Sequence, residues 1–308
     1  MRALRAHGPI DALGVTGPAL EAEGVERLAA SADLAVVGFT GVLARLPRIL
    51  AVRRRVLEAA RSRKPDLAIL VDSPGFNFRI GPALARRGIP VFYYIGPQVW
   101  AWHPERARAM SAWVSRLGVV FPFEEPLFRA AGVDAHFVGH PLLEDLVPEM
   151  DAAVVAVAPG LEPLVASRRF ARDRDAGPVR ALSGATHAIQ AHAECCAVAS
   201  GTATLETALF GTPLVIVYRT SRVNYAIARR VVKLEKIGLP NIVAEDEVAP
   251  ELIQDRFTAR AVAELLGRWL DDPAARAAAR ERLARVRERL GGPGAAVQAA
   301  ARAWELLE

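Results

Sequence analysis

Short apolar runs rich in Val and Ile recur along this 308-residue chain and alternate with Ala-, Arg- and Leu-rich helical patterns. The runs are continuous rather than alternating, which is typical of strands that are buried on both faces. Strands of this kind occur in parallel sheets that helices cover. The predicted strands are residues 34–39, 67–71, 91–95, 117–121, 136–138, 154–158, 195–199 and 214–217. The sequence therefore predicts an α/β fold.

The apolar periodicity is lost across residues 141–151, where prolines and acidic residues precede a new apolar run. Such a segment is typical of a domain boundary. We therefore predict two domains, residues 1–147 and residues 148–308, the second of which ends in C-terminal helices. A length of 308 residues with 52% hydrophobic residues is enough for two cores.

The composition excludes several classes of protein. The net charge of +5 comes with arginines spread over many helical patterns, and the sequence has no basic tail and no nucleic-acid-binding motif. The two cysteines, Cys195 and Cys196, are adjacent, so they predict neither a disulfide framework nor a metal site and favour a reducing compartment. Residues 1–20 lack the apolar core of a signal peptide, and no run is typical of a transmembrane helix. We expect a soluble or peripheral protein.

The stretch from residue 195 to residue 206 combines a predicted strand, a turn of small residues and a helix. Ser200, Gly201 and Thr202 form the turn, and the helix begins near Thr202. Unpaired backbone N–H groups and the positive end of the helix dipole meet at such a turn, which suits a phosphate group. Glu206 lies one helical turn beyond Thr202, where its carboxylate could accept hydrogen bonds from a ribose. The alternative is an ordinary strand–turn–helix corner with an exposed glutamate.

Asp72 follows the apolar run 67–71 directly, at the carboxyl end of a predicted strand. Ligands of open α/β sheets bind outside these strand ends. A carboxylate in this place is suited to act as a general base that takes a proton from a hydroxyl nucleophile. The alternative is a helix cap or a turn aspartate.

The loop after the predicted strand 91–95 is rich in aromatic residues. Gln98, Trp100 and Trp102 lie in this loop, and aromatic side chains there offer a hydrophobic wall for a lipid or a sugar. The alternative is packing of the two tryptophans between helices.

Two further polar residues lie beside turn-forming residues. His140, between Gly139 and Pro141 at the domain boundary, could contact a nucleotide or could pin the hinge. Asn241 follows Pro240 and could donate a hydrogen bond to a ligand, although Pro-Asn is also typical of a turn.

Residues 41–64 form an amphipathic basic pattern, with about eight Lys or Arg residues against one acidic residue. The pattern predicts a helix that is interrupted or started near Pro47. Such a helix can lie on an anionic membrane surface. It can also be a core-facing helix whose outer face is rich in arginine.

Several motifs stand in a recognisable order along the chain. They are Asp72-Ser73-Pro74 with Phe76-Asn77, Pro97-Gln98-Val99-Trp100-Ala101-Trp102, Phe121-Pro122-Phe123-Glu124, Gly139-His140-Pro141, Ser200-Gly201-Thr202-Ala203-Thr204-Leu205-Glu206 and Leu239-Pro240-Asn241. In content and order they resemble the lipid A disaccharide synthase family of inverting glycosyltransferases, from about residue 18 to about residue 290. The resemblance implies the GT-B fold, in which two Rossmann-like domains with parallel sheets face each other across a cleft.

The resemblance also implies the substrates and the roles of the site residues. The donor would be UDP-2,3-diacylglucosamine, and the acceptor would be 2,3-diacylglucosamine 1-phosphate. Asp72 would be the general base on the acceptor 6-hydroxyl, with no metal and no cofactor, because helix N-termini and basic groups neutralise the leaving UDP. The donor side would consist of Ser200, Gly201, Thr202, Glu206 and Asn241, and the acceptor or lipid side of Gln98, Trp100 and Trp102. The basic helix would then dock on the cytoplasmic face of the inner membrane.

The sequence departs from the family pattern at two places. The family opens with a strand and a Gly-rich Ser-Gly-Asp turn, and it carries a Gly-Ser-Arg turn after the first strand of the second domain. This sequence contains neither turn, so we expect the first strand of each domain to be missing. Arg168, Arg169 and Arg219 are the candidates to replace the missing arginine. The alternatives to an active synthase are a non-catalytic UDP-sugar- or lipid-binding remnant and a related UDP-sugar transferase or epimerase with a soluble substrate.

Overall fold

The chain divides into two compact units. The computed structural model describes residues 1–34, 39–102, 105–146, 155–157, 181–183, 185–221, 225 and 236–308. The first unit is Met1–Pro141 with Gly294–Glu308, and the second unit is Leu142–Pro293. The sequence pattern assigned all of 148–308 to one domain, whereas the structure assigns the last helix to the first unit.

The first unit contains two parallel sheets flanked by helices. Its strands are β1 (Leu13–Thr16), β2 (Glu26–Ala30), β3 (Ala68–Val71), β4 (Val91–Tyr94), β5 (Arg116–Val119) and β6 (Ala135–Phe137). Its helices before the second unit are α1 (Arg2–Arg5), α2 (Pro18–Ala22), α3 (Phe39–Arg63), α4 (Pro74–Ala85), α5 (Val99–Trp102), α6 (Glu105–Met110) and α7 (Glu124–Ala130). Strands β1 and β2 form one sheet, and the other has the order β3-β4-β5-β6.

The second unit repeats this arrangement with fewer described strands. The strands are β7 (Val155–Val157), β8 (Ala181–Ser183), β9 (Cys196–Ala199), β10 (Leu214–Tyr218) and β11 (Glu251–Ile253). The helices are α8 (Leu142–Asp145), α9 (Thr186–His192), α10 (Thr202–Leu209), α11 (Leu239–Ala244), α12 (Ala259–Asp271) and α13 (Pro273–Leu290). One parallel sheet pairs β7 with β8, and the other has the order β11-β10-β9.

The last helix, α14 (Ala295–Trp304), belongs to the first unit because its alanine face is buried there. Ala299 and Ala303 pack with Phe92 and Val138 in one hydrophobic cluster. Small side chains let the helix lie close to the sheet. The larger cluster of this unit surrounds Tyr93 and Leu117 in the central strands.

The predicted α/β class with parallel sheets is confirmed, and most of the predicted strands lie within one or two residues of the observed ones. The strand predicted at residues 34–39 is wrong at its two described ends, because Leu34 follows a 3₁₀ turn and Phe39 begins α3. Residues 35–38 lie outside the described residues. A short apolar run does not by itself distinguish a strand from the beginning of a buried helix.

The described strands of each unit form two separate parallel sheets, and the absence of the first strand of each domain stays a prediction. Among the described strands, β3 pairs only with β4, and β9 pairs only with β10. On β3 the side chains of Ile69 and Val71 are 39% and 49% exposed. Apolar side chains on an unpaired edge strand are a feature that folded proteins usually cover.

The basic helix α3 begins before Pro47 and continues through it, so the predicted interruption or start at this residue is wrong. Val52 and Ala60 are buried on one side of it, whereas Arg54 and Arg55 are exposed on the other. The two interpretations of its sequence are therefore compatible, since one face packs on the core and the other carries the positive charge.

Candidate active site

Asp72 lies at the carboxyl end of β3 in an unusual backbone conformation. Its φ angle is 43°, and that of the following Ser73 is also 43°, both in the left-handed region. For residues other than glycine this conformation costs on the order of 1–3 kcal/mol each, and it persists only where the surroundings hold it. The Asp72 side chain is exposed at this edge of the sheet.

Two buried side chains hold this turn through its backbone carbonyl groups. Asn77 from α4 donates from Nδ2 to the carbonyl oxygens of Val71 (3.2 Å) and Asp72 (2.5 Å). The Tyr93 hydroxyl from β4 donates to the same Asp72 oxygen (2.7 Å). Burial raises the pKa of Tyr93 above its usual range, so the phenol keeps the proton that it donates. The Asp72 backbone is therefore fixed from two elements, while its carboxylate remains directed to solvent.

The aromatic loop is anchored by a buried carboxylate. The indole Nε1 of Trp100 donates to Oε1 of Glu124 (2.9 Å), and the Phe121 amide donates to Oε2 (3.2 Å). Burial of Glu124 raises the pKa of its carboxyl to about 7, against the effect of these hydrogen bonds. Trp100 also meets Phe123 edge to face, with ring centroids 5.1 Å apart. The Trp100 ring is thus held in one orientation.

The other two predicted residues of this loop differ from Trp100. Gln98 is exposed just before α5, so its amide faces solvent. Trp102 is the last residue of α5, and its side chain lies outside the described part of the structure. Of this predicted acceptor side, Gln98 and Trp100 are therefore described in full.

His140 is buried against the aromatic cluster beside this loop. Its ring centroid is 5.2 Å from that of Phe121. Burial lowers the pKa of His140 to about 4, so its imidazole is neutral at pH 7. His140 therefore packs against the aromatic cluster, and both roles predicted for it, contact with a nucleotide and pinning of the hinge, stay predictions.

The turn after β9 joins the strand to α10 through an exposed glycine. Gly201 has φ 155° and is exposed, and nothing lies within 4 Å of where a side chain would begin. Ser200 donates its backbone N–H to Val217 (3.0 Å) and its Oγ hydrogen to the Ile237 carbonyl (3.2 Å). Thr202 is exposed at the beginning of α10. The backbone N–H groups of this helix start are therefore next to solvent.

Glu206 lies on α10 beside two residues of α9 that the sequence analysis did not identify. Gln190 Nε2 lies 3.4 Å from Glu206 Oε2, and His187 Nε2 lies 3.8 Å from the same oxygen. Gln190 also donates to the Ala203 carbonyl (3.1 Å). In the sequence, Gln190 differs from its immediate neighbours in α9 only as a polar residue among apolar ones, which does not reveal its contact with Glu206.

Asn241 lies in the interior, which differs from the predicted direct contact with the donor. It is fully buried in α11, and its amide donates to Ala249 O (2.7 Å) and Glu251 Oε1 (2.8 Å). Its Oδ1 accepts the N–H groups of Val248 and Ala249, both at 2.9 Å. These four bonds occupy the hydrogen-bonding capacity of the amide, so the side chain organises the loop before β11.

Arg219 is the candidate replacement arginine that falls within the described residues. It lies after β10 and donates to the carbonyl oxygens of Gln254 (3.4 Å) and Phe257. Its guanidinium also lies 5.1 Å from the centre of the Phe257 ring. Arg219 therefore holds the segment after β11, and Arg168 and Arg169 lie outside the described residues.

The described residues also bear on metal sites and membrane spans. Within these ranges, no group of three or more His, Cys, Asp or Glu side chains is placed to hold a metal ion. Among the helices of the same ranges, none is both long and apolar enough to cross a bilayer.

The fold is that of GT-B glycosyltransferases. The calicheamicin glycosyltransferase CalG4 matches with a TM-score of 0.57 at 19% identity, covering 99% of this chain and 93% of that chain. A UDP-N-acetylglucosamine 2-epimerase of Listeria monocytogenes, described as putative, also gives a TM-score of 0.57, at 11% identity over 96% of this chain and 95% of its own. At these identities the likeness concerns the fold alone.

The sequence comparisons define the family. A family model described as lipid-A-disaccharide synthetase matches residues 1–169 and 147–291. The lipid-A-disaccharide synthase of Syntrophus aciditrophicus is 40% identical, covering 96% of this chain and 90% of its own length. That of Geobacter metallireducens is 36% identical, covering 99% and 92%. The chain belongs to the lipid-A-disaccharide synthetase family and is a glycosyltransferase of lipid A biosynthesis.

The Syntrophus alignment is longer than this chain. The alignment runs over 343 positions, more than the 308 residues of this chain, so it opens gaps in this chain. Segments of the relative therefore have no counterpart here.

Proposed function

We propose that this enzyme transfers 2,3-diacylglucosamine from UDP to the 6-hydroxyl of 2,3-diacylglucosamine 1-phosphate. The observation that carries the proposal is the strained turn at Asp72. Its backbone is fixed by Asn77 and Tyr93, and its carboxylate is exposed at the carboxyl edge of the sheet. Strain of this kind is concentrated at functional sites. The membership in a synthase family supplies the class of reaction.

In the proposed step, Asp72 takes the proton from the acceptor 6-hydroxyl as its oxygen attacks C1 of the donor sugar. The new bond joins this oxygen to C1, and the bond from C1 to the diphosphate oxygen breaks. The electron pair leaves with UDP, and the configuration at C1 is inverted. Asp72 ends protonated and later returns its proton to solvent.

The donor diphosphate would bind at the turn formed by Ser200, Gly201 and Thr202. Backbone N–H groups at the beginning of α10 and the helix dipole would stabilise the charge that develops on UDP, without a metal ion or a cofactor. Glu206, one turn further along the same helix, would accept hydrogen bonds from the ribose hydroxyls. The proposal does not include direct contact by Asn241, because all four of its hydrogen bonds are internal.

The acceptor side would be the loop that carries Gln98, Trp100 and Trp102. Glu124 and Phe123 hold the Trp100 ring, so it can serve as a wall that needs no ordering when the lipid arrives. Gln98 offers an exposed amide for a sugar hydroxyl.

We expect UDP to bind the wild-type protein at one site, and ADP at equal concentration not to bind measurably. The ribose and the diphosphate are common to both ligands, so the comparison tests the recognition of the uracil base. Isothermal titration calorimetry measures both affinities. Equal affinities for UDP and ADP would show that the site does not distinguish the base, and this would contradict a site that is specific for a UDP-sugar donor.

We further propose that α3 contacts the cytoplasmic face of the inner membrane. Its outer face carries the exposed Arg54, Arg55 and Arg61, and Leu50 beside them is 48% exposed. An exposed apolar side chain among cations suits the headgroup region of an anionic bilayer. Both proposed substrates carry acyl chains, so contact with the bilayer would bring the enzyme to them.

Reversal of two charges on α3 is expected to weaken binding to anionic vesicles by at least about 30-fold, because each of the two lost basic residues contributes about 1 kcal/mol and each new carboxylate is repelled by the anionic surface. The variant is Arg54→Glu with Arg55→Glu, measured by cosedimentation with phosphatidylglycerol vesicles at low salt. The control is Arg280→Glu with Arg282→Glu on α13, where both arginines are exposed. Equal losses of vesicle binding in the two variants would show that the binding depends on net charge alone. In that case α3 would not be the membrane contact.

A further inference from the structure

A buried carboxylate in the second unit has no part in the reaction as proposed above. Glu251 begins β11 and is buried. Its Oε1 accepts hydrogen bonds from the Gly238 amide (2.9 Å) and from Asn241 Nδ2 (2.8 Å). The Ile237 amide lies 3.2 Å from Oε1 and 3.0 Å from Oε2. Every one of these partners is a donor, and the carboxylate oxygens of Glu251 accept from all of them.

The segment held by Glu251 lies very close to the sheet. A side chain at Gly238 would begin 2.2 Å from Cδ1 of Ile216 and 3.0 Å from Oε1 of Glu251. Ile216 is also the residue of β10 that stands opposite Glu251 in the parallel pair. Glycine at 238 thus allows the backbone to approach the carboxylate, and the approach fixes the Ile237–Gly238 peptide against the strands.

The same segment contacts the proposed phosphate turn. The Ile237 carbonyl accepts the hydrogen bond from Ser200 Oγ (3.2 Å), while the Ile237 amide is held by Glu251. Residue 237 therefore links the buried carboxylate to the first residue of the turn. Ser200 is held on its other side by the bond from its amide to Val217 (3.0 Å).

We propose that Glu251 is a positioning residue of the donor site. It fixes Ile237 and, through the carbonyl of that residue, sets the orientation of Ser200 before UDP arrives. A turn that is already ordered binds the diphosphate without the loss of entropy that ordering would bring. This inference rests on the proposed function of the Ser200 turn.

The test is a double-mutant cycle on the calorimetric affinity for UDP, with wild type, Glu251→Gln, Ser200→Ala and the double variant. Glutamine keeps the size of the side chain but turns an NH₂ group toward donors, so we expect a loss of about 10-fold in UDP affinity. Because Glu251 acts through Ser200, the two losses should not add. The double variant should bind UDP no more weakly than whichever single variant binds it more weakly. The control is Glu247→Gln, an exposed carboxylate of the neighbouring loop, which should bind UDP as wild type does.

The possible outcomes separate this inference from the proposed function. The positioning role would be overturned if the fold-losses of UDP affinity in the two single variants multiply in the double variant. It would also be overturned if Glu251→Gln binds UDP as tightly as wild type. If wild type does not bind UDP, or if both Ser200→Ala and Glu206→Ala bind it unchanged, the donor site itself is wrong.

A measurement on wild type covers the case in which Glu251→Gln does not fold. Coupling is reciprocal, so UDP must stabilise the segment that favours its binding. Saturating UDP should slow hydrogen exchange of the Ile237 and Gly238 amides by about 10-fold. Exchange that UDP leaves unchanged would overturn the role of Glu251 independently of any variant.

Discussion

Replacement of Asp72 by Asn is expected to lower kcat for sugar transfer by about 10²–10⁴-fold, the range that a general base contributes. The amide matches the carboxylate in size but does not take the proton from the acceptor hydroxyl. Asn77 and Tyr93 hold the turn through backbone oxygens, so the substitution leaves their hydrogen bonds in place. We therefore expect the melting temperature and the UDP affinity to remain those of wild type, and initial rates of UDP release to report the loss.

The matched control for this prediction is Asp66→Asn, which changes an exposed carboxylate just before β3, at the opposite end of the strand from Asp72. It should leave kcat unchanged. An Asp72→Asn variant that retains kcat within a factor of two would remove Asp72 as the base.

Replacement of Glu206 by Ala is expected to weaken UDP binding by about 10- to 100-fold, since hydrogen bonds to a charged group contribute about 1.5–3 kcal/mol. The reason is the loss of the carboxylate that would accept hydrogen bonds from the ribose hydroxyls. Isothermal titration calorimetry measures the affinity. Glu264→Ala, which removes an exposed glutamate of α12, serves as the control and should bind UDP as wild type does.

The ligand provides a second comparison for Glu206. Wild type should bind 2′-deoxy-UDP more weakly than UDP, whereas Glu206→Ala should bind the two nucleotides equally. If the variant still distinguishes them, another group contacts the 2′-hydroxyl and the assignment of Glu206 to the ribose is incorrect.

The sequence predicts the strands whose apolar runs are continuous, because these are the strands that helices cover on both faces. Strands β1, β2, β8 and β11 escape this pattern. They are three to five residues long, and β2 begins with the exposed Glu26 and Arg27. A strand that is partly exposed, as β2 is, needs no apolar run, so only its pairing partner identifies it.

The position of Asp72 at a strand end could be predicted from the sequence, but the means by which its turn is held could not. The contact from Tyr93 comes from 21 residues further along the chain. The burial of Asn241 has a similar origin, because its partners Ala249 and Glu251 lie in a later loop and strand. A Pro-Asn pair does not reveal by its spacing whether the amide will face a ligand or the interior.

Asp72 in the first unit and the Ser200 turn in the second unit each lie at the end of an edge strand. Asp72 follows β3, and the Ser200 turn follows β9; among the described strands each of these two pairs on one side only. The turn at Asp72 is nevertheless held by Tyr93 of β4 and Asn77 of α4, and Ser200 is held by Val217 of β10. The contacts that order the two positions thus come from the paired side of each strand and from the following helix.

The most direct test is to incubate wild-type protein with UDP-2,3-diacylglucosamine and 2,3-diacylglucosamine 1-phosphate in detergent micelles and to quantify disaccharide and UDP by mass spectrometry. We predict one disaccharide for each UDP released, and neither product when the acceptor lacks its 6-hydroxyl group. UDP binding without any disaccharide would contradict this prediction and would make the chain a nucleotide-binding remnant of the family.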